Sequence, residues 1–93
     1  MLFMINKTQP ELTGRISLLA RDEDKELLLV GDAVFYATDY MMERFDSVEV
    51  EAVYVSKPCL ATRKVKVSER CRVVDFDEMV PLIMEDHEKV IQI

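Results

Sequence analysis

The chain has 93 residues and a formal net charge of −6, the size of one domain over residues 1–93 and too acidic for a generic nucleic-acid coat. Apolar residues make up 49% and charged residues 32%, a globular composition that excludes a disordered chain. No apolar run approaches the ~20 residues that span a bilayer, and the two glycines, Gly14 and Gly31, match neither phosphate-cradling glycine motif.

Met1–Lys7 is a short apolar run that reads as a strand buried on both faces. At its head it lacks the basic leader and the length of a signal-peptide core. Thr8 is placed to cap a helix, with Glu11 reaching back to it and Pro10 in the first turn. Leu12, Ile16 and Leu19 then recur at helical spacing, and Arg21–Asp24 ends the helix in a solvated turn. Leu27–Val30 is a second buried strand. Gly31-Asp32 is the strand-to-helix turn, with Asp32 as N-cap, and Val34, Ala37, Met41 and Phe45 mark one face of the next helix. Val48–Val55 reads as the third strand, alternating at first and then continuously apolar. Ser56–Arg70 is irregular, with one short helical turn over Leu60–Arg63. Cys71–Val74 is a fourth strand and Asp75–Asp86 a long helix, with Asp75 and Asp77 competing as cap. Capping by Asp75 leaves Pro81 beyond the first turn, where it should kink the helix; a start near Asp77 or Glu78 removes most of that conflict. Lys89–Ile93 closes the chain as a fifth strand.

Apolar strands alternating with amphipathic helices imply an α/β fold: a small three-layer α/β/α domain around a five-stranded, mainly parallel sheet. Sites in such sheets form beyond the carboxyl ends of the strands. Here those ends lead into Asn6–Pro10, Gly31–Ala33, Ser56–Arg63 and Asp75–Glu78. So short a chain has little depth for a private cleft, which favours a site shared with a partner subunit.

Cys59 is the candidate reactive residue. It lies in the loop after the third strand, near Lys57, Arg63 and Lys64. Cations and the amides of a helical turn both favour a thiolate, which could accept and pass on a persulfide sulfur; the alternative is a small apolar plug beside Pro58. Cys71, on a strand, reads as buried and inert. A Cys59–Cys71 disulfide is conceivable but matches no redox motif, and both cysteines read as free thiols of a cytoplasmic protein. The stretch Lys57–Arg72 holds Lys57, Arg63, Lys64, Lys66, Arg70 and Arg72 against Glu69 alone, a net +5 that leaves −11 for the rest. It is either a surface for an acidic partner or RNA, or a solvated loop balancing nearby carboxylates. His87, among Glu85, Asp86 and Glu88, lacks the further nitrogen or sulfur ligands of a metal site and reads as a solvated helix end. The residues call for no metal and no cofactor.

The chain resembles the TusB/DsrH proteins of the DsrE/DsrF/DsrH-like sulfur-relay group. The resemblance rests on Met1–Thr8, on Glu26–Ala37, on Val53-Tyr54-Val55 followed by Leu60-Ala61 and Arg63, and on Val74-Asp75-Phe76. It implies a subunit of a TusB–TusC–TusD-like hetero-oligomer that relays persulfide sulfur toward 2-thiouridine in tRNA. TusC-like and TusD-like subunits would then be its partners, with tRNA reached indirectly and no membrane. DsrH proteins that bear a cysteine carry it after the first strand; Lys7–Arg21 contains none, which favours the TusB-like reading over a DsrH-like role in sulfur oxidation. In the larger TusD/DsrE relatives the sulfur-carrying cysteine ends the third strand. Here Ser56 stands at that position and Cys59 follows three residues later, while Lys64 stands where the family has glycine. The expectation is a structural or regulatory subunit. The rivals are a carrier role for Cys59 and a homo-oligomeric binding module outside sulfur chemistry.

Overall fold

A computed structural model describes residues 1–85 and 89–93. Strands β1 (Leu2–Ile5), β2 (Glu26–Leu29), β3 (Ala52–Ser56), β4 (Cys71–Val74) and β5 (Val90–Gln92) form one sheet in the order β4-β3-β2-β1-β5. Every pairing is parallel, with Phe3 opposite Leu27, Leu27 opposite Val53 and Val55 opposite Val73. The expected α/β architecture is therefore present. Because side chains alternate along a strand, Phe3, Ile5, Leu27, Leu29, Val53 and Val55 fill one core, while Leu2, Leu28 and Val74 fill the other. Leu2, Phe3, Ile5 and Leu27–Leu29 are fully buried, and each such side chain contributes about 1.5–3 kcal/mol.

The first core is covered by helix α1 (Leu12–Ala20), the segment 31–48 and helix α3 (Lys57–Ala61); the second by helix α4 (Phe76–Met84). The chain steps from β1 to β4 in one direction across the first face. It then returns over the second face through α4 to β5, beside β1. The connections after β3 and β4 thus leave toward opposite faces, and the strand order reverses between β1 and β5, the topological switch point of the sheet.

Several local expectations are corrected. Helix α1 has no Thr8–Glu11 capping box: it starts at Leu12, and Glu11 takes a left-handed conformation (φ 58) without a side-chain cap. A tertiary anchor prevails over the local one, because the Gln9 N–H donates to the Tyr36 hydroxyl (2.9 Å), which donates back to the Gln9 carbonyl (3.0 Å). The buried face is Leu12, Ile16 and Ala20, and Leu19 is exposed. The helix expected from Val34 to Phe45 is three short pieces: a 3₁₀ turn over Gly31–Ala37, helix α2 (Asp39–Met42) and a 3₁₀ turn over Glu43–Val48. Extended Thr38 interrupts it, and its hydroxyl accepts from the Met41 amide to cap α2. Val34, Ala37 and Phe45 are buried as the spacing predicts, but Met41 is only partly so. Val48 ends the last 3₁₀ turn and Glu49 is left-handed, so the third strand begins at Ala52.

Asp75, not Asp77, caps α4. Its carboxylate accepts from the Glu78 amide (3.0 Å) and the Glu78 side chain accepts from the Asp75 amide (3.3 Å). These two bonds satisfy otherwise orphaned donors and hold a start that leaves Pro81 inside the helix. The helix ends at Met84. His87 lies outside the described residues.

Candidate functional site

Three loops converge at the carboxyl end of the sheet. After β3, the Ser56 hydroxyl accepts from the Cys59 amide (3.4 Å) and caps α3, with Pro58 in its first turn, where a missing N–H costs little. The helical turn therefore contains Cys59 rather than following it as the expected Leu60–Arg63 turn, and the Cys59 amide is taken by Ser56. After β2, Gly31 supplies the sulfur's partner: its N–H donates to Cys59 Sγ at 3.2 Å. Gly31 is left-handed (φ +55), and a Cβ there would stand 2.9 Å from the Asn6 carbonyl oxygen in the loop after β1. Only glycine fits that meeting of two backbones.

Arg63 closes the arrangement. Its Nε and Nη2 donate to one Asp32 carboxylate oxygen (3.1 and 2.9 Å), and its Nη1 donates to the Cys59 carbonyl (3.1 Å) and the Thr62 hydroxyl (3.2 Å). Asp32 is thus a salt-bridge partner rather than the expected N-cap, a position held by Val30. Cys59 is half-buried and packs against the first core. Among the described residues no carboxylate, imidazole or second sulfur hydrogen-bonds Cys59 Sγ, the contact by which a general base would activate it. What the geometry offers chemically is a sulfur on a backbone N–H donor within a short, cation-clamped helix.

Cys71 stands apart. It pairs with Val53 at the amino end of β4, whereas Cys59 follows the far end, where Ser56 pairs with Val74. Three strand steps, about 10 Å, separate the ends, and both cysteines are free, which disposes of the conceivable Cys59–Cys71 disulfide. Burial pushes the Cys71 thiol up to about 11, against a smaller opposing pull from Arg70.

The basic stretch divides in two. Arg63 pairs with Asp32, Arg70 with Asp46 and Arg72 with Glu78; the hydrogen bond to Asp46 raises Arg70 further above its ordinary pKa. Lys57, Lys64 and Lys66 are exposed and form no ion pair among the described residues. Cavities of about 220 Å³, at Glu49–Val53, and about 250 Å³, between Tyr54 and α4, lie away from Cys59. Among the described residues no group of three or more His, Cys, Asp or Glu could hold a metal ion, and no helix is long and apolar enough to cross a membrane.

Sequence reasoning placed Cys59, Arg63 and Lys57 in one loop but missed Gly31 and Asp32 as their partners. The only local trace was Gly-Asp directly after an apolar run, at the carboxyl end of a neighbouring strand.

Comparison with known proteins agrees with the resemblance drawn from Glu26–Ala37 and the third-strand region. The family model described as "DsrH like protein" matches residues 9–90. No curated protein matches the chain.

Proposed function

The chain belongs to the DsrH-like family of sulfur-relay subunits, which work in complexes with other such subunits, and from this membership we propose that it is a structural or regulatory subunit of a cytoplasmic TusBCD-like complex. That complex passes persulfide sulfur toward 2-thiouridine in tRNA. The observation that carries the non-carrier role is the state of Cys59: half-buried against the core and three residues beyond the position, here Ser56, where the relatives' carrier stands. The absence of cysteine from Lys7–Arg21 supports the TusB-like branch.

A second reading has one observation in its favour. The Gly31 N–H aimed at Cys59 Sγ would stabilise negative charge on that sulfur, as a persulfide carrier requires.

Co-expression with TusC-like and TusD-like subunits tests the assembly. The chain should comigrate with them in a defined hetero-oligomer by light scattering. A species of about 11 kDa, alone and in the mixture, would contradict it.

A further inference from the structure

Helix α4 carries apolar residues on two sides. Met79 and Leu82 are buried against Leu2, Leu28 and Val74. Phe76, Val80 and Met84 are 68%, 44% and 74% exposed. Their i, i+4, i+8 spacing aligns them on one ridge. Scattered exposed apolar residues are ordinary, but a contiguous ridge of large ones marks an interaction surface.

The charges around the ridge indicate what covers it. Residues 75–85 contain Asp75, Asp77, Glu78 and Glu85 and no Lys or Arg. Asp75 is engaged in the cap and Glu78 with Arg72. Asp77 and Glu85 have no ion-pair partner among the described residues. A second copy docked antiparallel about Val80 would match Phe76 with Met84. It would also set Asp75 of one helix opposite Glu85 of the other, and like charges across an interface are strongly unfavourable. An apolar ridge with carboxylate flanks fits a groove with cationic lips, read by anchors one turn apart.

We propose that the Phe76–Val80–Met84 ridge of α4 is the docking surface for a protein partner, different from this chain, that offers an apolar groove rimmed by Lys and Arg. The proposal rests on the reading of the chain as one subunit among different sulfur-relay proteins. Docking there leaves the Cys59 loop, which packs on the opposite face of the sheet, outside the contact.

The test uses the full chain co-expressed with its TusC-like and TusD-like subunits, and compares wild type with Val80→Asp, Met84→Asp and the double variant Asp77→Lys/Glu85→Lys. All four positions are exposed, and unchanged thermal melting of the isolated variants establishes that they fold. Each apolar-to-Asp variant should weaken the complex at least tenfold. The double Lys variant should weaken it severalfold at 50 mM salt, and the deficit should shrink toward 0.5 M as exposed charges are screened. Wild-type chain that forms no complex overturns the subunit reading and the proposal with it. A complex indifferent to Val80→Asp and Met84→Asp overturns the docking surface alone. Sensitivity to those variants without sensitivity to the charge reversal overturns the cationic-rimmed partner. A homo-oligomer of the isolated chain that Val80→Asp dissociates overturns it in favour of a second copy.

Discussion

The backbone amide of Gly31 donates to the sulfur of Cys59 at 3.2 Å, joining the loop after β2 to helix α3 across 28 residues of sequence. The bond exists because Gly31 adopts a left-handed conformation against the Asn6 carbonyl. The carboxyl ends of β1, β2 and β3 are thereby fixed to one another around the only cysteine in that region.

Gly31→Ala should be among the most damaging small substitutions. The left-handed conformation alone costs an alanine about 1–2 kcal/mol, and the new Cβ would meet a backbone oxygen that has no rotamer to escape into. Thermal denaturation should show Tm lowered by roughly 5–15 °C. Gly14→Ala is the matched control. It meets nothing within 4 Å in the first turn of α1 and should stabilise by up to about 0.5–1 kcal/mol.

The basic stretch should show two kinds of behaviour. Lys64→Glu and Lys66→Glu reverse cations that no carboxylate of the described chain neutralises. They should weaken assembly with the other relay subunits at low salt, with the loss fading as ionic strength rises. Arg63→Ala breaks the clamp on Asp32 and on the Cys59 carbonyl instead, so its main effect should be faster alkylation of Cys59. Assembly indifferent to both lysine reversals at low salt would identify the stretch as a solvated loop.

Cys71 makes stability fall at high pH. Burial raises its thiol from 9.0 to about 11 in the folded chain, so between these values the unfolded chain has lost a proton that the folded chain keeps. The stabilisation is complete below about pH 9 and is lost as pH rises through about 11. Denaturant titrations from pH 8 to 11 should show this decline, and Cys71→Ala should flatten it. A neutral alkylating agent at pH 8 should label Cys71 only on unfolding.

The sheet was legible because its strands are unbroken apolar runs. Leu2–Ile5 and Leu27–Leu29 are buried on both faces, and few other structures explain such runs in so short a chain. Asp75 stood out as one of two candidate caps, although Pro81 argued for a later start; two reciprocal bonds with Glu78, unread in the sequence, outweighed it. What stayed hidden was non-local. The Gln9–Tyr36 contact that displaced the Thr8 cap spans 27 residues, and the Gly31–Cys59 contact spans 28. The segment 31–48 carries the apolar spacing of one helix, but Thr38, β-branched and able to cap with its own hydroxyl, divides it.

The 2-thiouridine content of tRNA separates a structural relay subunit from a sulfur carrier. It is measured by nucleoside mass spectrometry in cells lacking this gene and in cells complemented with wild type or Cys59→Ser. Deletion should deplete 2-thiouridine, and Cys59→Ser should restore it as fully as wild type. A Cys59→Ser protein that assembles normally yet leaves 2-thiouridine depleted would make Cys59 the sulfur carrier and contradict the structural role, and a deletion without effect on 2-thiouridine would remove the chain from that pathway.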